Sequence, residues 1–213
     1  TDENVARYIR NNLDTEACEL IGVQSIRTQG VDLDADEHAH LWRKFRFEAA
    51  HRLPNVEPGH PCGRMHGHGF EAVVHANQNL RDRALGITYE EIGTQWDALS
   101  NELSYRCLNE VEGLENPTSE MIATWIWKRL HPTLAGLDCV SVYETKTAGC
   151  HYDGKDYRIW KDQTFEGAVQ RSGATADDRK LSSHGHSYLI RLNIRAPLDE
   201  VMGWTVDYGD VKK

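Results

Sequence analysis

No apolar run in this sequence approaches the roughly 18 residues that a membrane-spanning helix requires. The opening residues, TDENVARYIRNNL, carry no basic stretch followed by an apolar one. Neither a membrane anchor nor a secretory leader is expected, and the chain reads as cytoplasmic. Cysteine is sparse and unpatterned. Cys18, Cys62, Cys107, Cys139 and Cys150 are odd in number, scattered and never spaced as CxxC, which argues against a disulfide framework or a four-cysteine zinc cluster. An excess of basic residues is missing too: 24 Lys and Arg stand against 33 Asp and Glu, a formal net charge of -9. General nucleic-acid binding is disfavoured, although a local positive site for an anionic substrate remains open. At 213 residues the chain can bury the core of one large domain or of two small ones.

What the sequence does contain is an internal repeat. FEAAHRLPNVEPGHPCGRMHGH (47–68) aligns without gaps to FEGAVQRSGATADDRKLSSHGH (165–186), so that His66 falls on His184; Trp42 and Trp160 share that spacing. TDENVARYIRNNL (1–13) matches TSEMIATWIWKRL (118–130), and IGVQSIRTQG (21–30) matches VSVYETKTAG (140–149). The order is unusual. Residues 43–160 read as one complete unit, 161–213 as the first half of a second, and 1–42 as the second half of that second unit. Some 22 positions of it, equivalent to WDALSNELSYRCLNEVEGLENP, have no counterpart. A circular permutation and the loss of a terminal segment both account for this order.

Within the complete unit the expected order is strand, strand, helix, helix, strand, strand. RKFRFEAA and HGFEAVVHA are rich in β-formers, and alternation puts Phe70, Ala72 and Val74 on one face. Ile92, Trp96, Leu99 and Leu103 recur at helical spacing, as do Ile122, Trp125, Ile126 and Leu130, predicting two amphipathic helices laid on a sheet. Asn116 followed by Pro117 suggests the start of the second helix. CVSVYETK and YRIW read as a second strand pair. In the half unit Val5, Tyr8, Ile9 and Leu13 form the corresponding helix face.

The stretch CGRMHGHGF (62–70) carries the chemistry. On a strand, His66 and His68 point to the same side, with Gly67 leaving room between them. His51 ends the preceding strand and can lie beside them on the antiparallel neighbour. Three neutral histidine nitrogens with an open fourth position is the pattern of catalytic rather than structural zinc; the alternative is a polar strand that happens to contain histidine. Cys62 is a candidate base or nucleophile. A divalent cation and Arg64 nearby would lower its pKa, although it is equally placed to be a fourth zinc ligand.

FEAAHRLP, CGRMHGH, GLENPTSE and ETKTAGC, in that order and at these separations, resemble the 6-carboxytetrahydropterin synthase family of the queuosine pathway, relatives of 6-pyruvoyltetrahydropterin synthase. The resemblance covers residues 43–160 nearly end to end. It implies an α+β tunnelling fold, in which ββααββ units join antiparallel sheets into a barrel, here with two copies per chain in permuted order. It also implies Zn2+ on His51, His66 and His68, Cys62 as catalytic base, and Glu144, with Thr145 beside it, as the anchor of a pterin ring. The substrate would be 7,8-dihydroneopterin triphosphate and the product 6-carboxy-5,6,7,8-tetrahydropterin. Arg52, Arg64 and Lys146 are candidates to meet the triphosphate. The two exposed edges of one unit imply a homo-oligomer, with sites between units. No nucleic-acid or membrane partner is expected.

The chain departs from the family pattern in instructive places. Ser104, Tyr105 and Arg106 stand where the family carries an Asp-His acid/base pair. GITYEEI (86–92) lacks the Asp of the family's GWxxDF motif, which is intact as GWTVDYGD (203–210). In the partial unit Val169, Lys180 and Ser25 replace His51, Cys62 and Glu144. The expectation is divided labour: residues 43–160 hold metal, thiol and pterin anchor, while the degenerate unit contributes structure and an acid/base dyad across the interface, a dyad that would fall in the some 22 positions without counterpart. Related side-chain chemistry (a 6-pyruvoyl product, or side-chain cleavage) and zinc or pterin binding without turnover are the alternatives.

Overall fold

The computed structural model describes residues 1–15, 17–80, 86–169 and 183–212; Lys180 lies outside them. Helix α1 (Asp2–Asn12) is followed by strands β1 (Leu20–Ile26), β2 (Gln29–Asp34), β3 (His38–His51) and β4 (His66–Asn79). Then come helix α2 (Tyr89–Leu103), the short β5 (Arg106–Cys107), helix α3 (Ser119–Leu130), and strands β6 (Leu137–Thr145), β7 (Ala148–Tyr152), β8 (Tyr157–Val169) and β9 (His184–Arg195). The described strands form one nine-stranded sheet in the order β1-β2-β3-β4-β6-β7-β8-β9, with β5 beside β3. All pairings are antiparallel except β3 with β5. The sheet is open, with β1 and β9 at its edges, so one chain does not form the expected barrel.

Local chemistry explains the main elements. Thr88 caps α2 in a reciprocal box with Glu91, and the predicted stripe of Ile92, Trp96, Leu99 and Leu103 is buried against β3 and β4. Phe70, Ala72 and Val74 are fully buried beneath it, as alternation requires. Phe47 and Phe70 stack at 5.1 Å across β3 and β4 in the centre of this core. Burying each ring contributes about 2–3 kcal/mol. None of the helices among the described residues is long and apolar enough to cross a membrane.

Three local expectations are corrected. Helix α3 is capped by Thr118, whose hydroxyl accepts from the Met121 N–H, and not by Asn116, whose amide instead donates to the Met202 carbonyl. The strand after β6 is β7, formed by AGCHY, which begins inside the ETKTAGC motif, so YRIW pairs with β7 and not with CVSVYETK. A tight reversal at Lys146 and Thr147 hides this strand from periodicity, because β7 is only 5 residues long. Helix α1 buries Ala6 and leans Ile9 on a small core of Ile21, Val31, Leu33 and Leu41, while Val5, Tyr8 and Leu13 are exposed.

Several juxtapositions recur along the sheet. Gly30 faces Trp42 across β2 and β3, and Gly149 faces Trp160 across β7 and β8; in both, a Cβ on the glycine would press on the indole. The Phe47–Phe70 stack has its counterpart in Phe165–Tyr188, 4.9 Å apart across β8 and β9, but exposed. Val169 stands directly opposite His184 as His51 stands opposite His66. The unit boundaries expected after Trp42 and Trp160 fall inside β3 and β8, so the sheet runs through both without a linker.

Candidate functional site

Antiparallel pairing of β3 with β4 sets His51 opposite His66 and Ala49 opposite His68, which gathers the three imidazoles on the helix-covered face. Ring centroids are 4.6 Å apart for His51 and His66, 4.9 Å for His66 and His68, and 5.3 Å for His51 and His68. Two rings are fixed by the backbone. His51 Nδ1 lies 2.9 Å from the Pro117 carbonyl and His66 Nδ1 2.8 Å from the Arg64 carbonyl. A carbonyl only accepts, so each Nδ1 carries the proton and each Nε2 is left as a lone pair.

Glu144, from β6, enters this cluster. Its Oε1 lies 3.1 Å from His68 Nε2 and 3.6 Å from His51 Nε2. Neither contact has hydrogen-bond geometry, so both buried nitrogens lack a hydrogen-bond partner. One donor atom from each of His51, His66, His68 and Glu144 lies within 4.8 Å of the others. Buried imidazole lone pairs that converge without a donor fit a divalent metal: zinc takes neutral histidine nitrogen and carboxylate oxygen. Burial alone would raise the Glu144 carboxyl; when no metal is bound and the His51 and His68 rings take up protons, their contacts and charges outweigh burial and hold it well below the usual carboxylate range.

Cys62 reaches the site through the 52–65 connection. The Leu53 N–H donates to the Cys62 carbonyl at 2.8 Å, folding the loop back, and the His60 ring accepts from the Cys62 N–H. Cys62, Glu144 and Thr145 line one cavity of about 510 Å3, so the structure brings the thiol and the candidate pterin anchor together. Without a cation beside it, the thiol is not lowered by its protein surroundings. Burial first, then the negative charges of Glu144 and Asp207, push its pKa up, and Arg64 is exposed. Arg52 and Lys146 are exposed as well.

Sequence reasoning missed the other wall of this cavity. It is built by Glu120 at the start of α3, Lys161 on β8, and Trp204, Asp207 and Tyr208 from GWTVDYGD. That segment is clasped to the complete unit: the Thr118 hydroxyl donates to the Gly203 carbonyl at 2.5 Å, and His60 Nε2 lies 3.1 Å from Asp207 Oδ2. Burial pushes the Glu120 carboxyl up to about 7, against the hydrogen bonds it accepts from Thr205. The motif itself was a signal, since GWTVDYGD stood out in the sequence, but nothing local said which surface it covers. Tyr105 and Arg106, at the positions of the missing acid/base pair, border a separate open depression with Gly67 and His68.

Residues 40–155 match the sequence family described as 6-pyruvoyl tetrahydropterin synthase. The chain is 37% identical over 119 residues, 53% of its length and 91% of the relative's, to 6-carboxy-5,6,7,8-tetrahydropterin synthase of Synechocystis sp.. It is 29% identical over 98 residues, 46% of its length and 80% of the relative's, to dihydroneopterin monophosphate aldolase of Pyrococcus furiosus. The Caenorhabditis elegans 6-pyruvoyl tetrahydropterin synthase structure superposes with a TM-score of 0.50 over 55% of this chain and 96% of that one, at 22% identity, a likeness of fold.

Proposed function

Because this chain belongs to the 6-pyruvoyl tetrahydropterin synthase family, we propose that it is a zinc-dependent lyase converting 7,8-dihydroneopterin triphosphate to 6-carboxy-5,6,7,8-tetrahydropterin, a step toward queuosine-type 7-deazapurines. The observation that carries the reading is the convergence of His51, His66 and His68, with two Nε2 atoms buried and unpartnered, beside a cavity that holds Cys62 and Glu144. The 37% identity to a 6-carboxy-5,6,7,8-tetrahydropterin synthase favours this product over its relatives'.

In this reading the three histidines hold Zn2+, which supplies Lewis acidity to the hydroxylated side chain of the substrate. Glu144 accepts hydrogen bonds from the amino and ring N–H groups of the pterin, a charge-assisted pairing with directional selectivity. Glu120, whose carboxyl burial pushes up to about 7, offers a second carboxyl for the ring edge from the facing wall of the same cavity. Cys62 moves a proton to or from the side-chain carbons. Trp204 and Tyr208 shield the cavity from water, and Lys161 places a cation on its wall.

The chain is further proposed to be two related units, residues 43–160 complete and residues 161–213 with 1–42 making up the degenerate one. The repeated Gly–Trp and aromatic juxtapositions support that division. GWTVDYGD then completes, from the degenerate unit, a site whose reactive groups belong to the other. The free edges of β1 and β9 favour closure of the sheet by several chains into the family's barrel.

Zinc and pterin binding without turnover is the second reading. It is favoured by Tyr105, 86% exposed, where an acid/base pair would stand. Incubating the zinc-loaded protein with 7,8-dihydroneopterin triphosphate, with Cys62→Ala alongside, and identifying products by mass spectrometry separates the two. 6-Carboxy-5,6,7,8-tetrahydropterin formed by the parent and lost in the variant is the expected result; bound pterin with no product overturns the lyase reading.

A further inference from the structure

The face of the sheet turned away from α2 and α3 holds a second group of metal-ligating side chains. Val74 and Ala76 of β4 point into the core, so His75 between them points to the other side. It pairs with Cys139 across β4 and β6, and Ser141 pairs with His151 across β6 and β7. The three neighbouring strands therefore deliver two imidazoles and a thiol to one spot, from positions whose sequence spacing resembles no motif.

The donor atoms converge. His75 Nε2 lies 2.9 Å and His151 Nδ1 2.6 Å from Ser141 Oγ, and Cys139 Sγ lies 4.0 Å from the same oxygen. One ligand atom from each of His75, Cys139 and His151 lies within 4.8 Å of the other two. A cavity of about 340 Å3 reaches the group, and its wall carries three carboxylates, Asp138, Asp153 and Asp156, against two guanidinium groups, Arg158 and Arg195. Burial holds both imidazoles neutral at physiological pH: each is brought down to about 4, His75 further by His151 and His40, and His151 further by Arg158 and Arg191.

We propose that His75, Cys139 and His151 form a second divalent-metal site, distinct from the histidine cluster beside Cys62, with a fourth position open to water or a wall carboxylate. Two nitrogens and one thiolate are the donor set of zinc, whose bonds to them run about 2.0–2.3 Å. Burial pushes the Cys139 thiol up to about 11, so the apo site holds it protonated. On binding, the S–H bond breaks, the metal–sulfur bond forms and the proton leaves to solvent. The competing arrangement is a plain hydrogen-bond network, in which the Ser141 hydroxyl donates to one imidazole and accepts from the other.

Titration of the metal-free full chain with Co2+, followed by absorption and by metal analysis, separates them. The expected result is two equivalents per chain and a thiolate-to-cobalt charge-transfer band that survives Cys62→Ala and His68→Ala but is lost in Cys139→Ala. His151→Ala should remove the same equivalent, and His68→Ala should remove the other. Circular dichroism establishes that each variant is folded, and the small Cys139→Ala change decides the matter if His151→Ala is not. No thiolate band, or a band unmoved by Cys139→Ala, overturns the proposal, as does one equivalent that His68→Ala alone removes.

Discussion

The Thr205 N–H donates to Glu120 Oε1 at 2.8 Å, and the Thr205 hydroxyl reaches the same oxygen at 3.1 Å. One carboxylate thus ties the GWTVDYGD segment to the first turn of α3, and it does so while almost fully buried. Its pKa of about 7 in the fold lies above the ordinary 4.5. Between those values the native state keeps a proton that the unfolded chain has released, so stability falls as pH rises through that window and stays lower above it. The effect amounts to up to about 3 kcal/mol. Urea unfolding at both ends of the window should show this loss in the parent protein and its absence in Glu120→Gln; equal pH dependence in the two would disprove it.

His68→Ala should lose the metal of the histidine cluster and turnover together while leaving the circular dichroism spectrum unchanged. His68 is a better probe than His51, which is buried at 1% exposure and hydrogen-bonded to Pro117. Zinc analysis of the purified variant is the check, and unchanged metal affinity at the cluster would remove His68 from the ligand set.

Glu144→Gln distinguishes an anchor from a ligand. As the pterin anchor it should weaken substrate binding by about 10- to 100-fold, the worth of a charge-assisted hydrogen bond, with zinc content retained. A fall in zinc affinity of similar size would instead make the carboxylate, 3.1 Å from His68 in this structure, part of the metal's coordination.

Cys62→Ala should lower kcat by about 10²- to 10⁴-fold, the usual worth of a positioned proton-transfer group, with pterin affinity and metal content near those of the parent. Isothermal titration with a pterin and steady-state assay provide both numbers. Loss of binding equal to the loss of rate would reassign Cys62 to the cavity wall.

Gly30→Ala tests the close approach of β2 to the Trp42 indole on β3. A Cβ there would sit 2.6 Å from the Trp42 ring and 2.8 Å from the Val23 carbonyl, with no flexible chain end to give way. Thermal or chemical unfolding should show a loss of about 1–3 kcal/mol. A neutral result would mean that the indole shifts freely.

The elements that the sequence determined by itself are those whose signal is local. Ile92, Trp96, Leu99 and Leu103 repeat with the helical period and face one core, and Phe70, Ala72 and Val74 alternate and are buried. The histidine trio belongs here as well: an i, i+2 pair on one strand and a third residue at the end of its hairpin partner meet whenever the hairpin closes in register. Helix α1 departs from the same reading: Ala6 and Ile9 pack on the small core and Val5, Tyr8 and Leu13 do not.

Tertiary structure alone decided the rest. Lys161, Trp204 and Asp207 face Cys62 across one cavity although the chain separates them from it by about a hundred residues or more. The upward pressure on the Cys62 thiol comes from burial and from two carboxylates that no spacing brings near it. His75, Cys139 and His151 meet because three strands pair in one register, and a slip of one residue would turn each side chain to the opposite face. Periodicity fixes which side of its own element a residue occupies; which residues share that side across the sheet depends on pairings that a linear sequence does not contain.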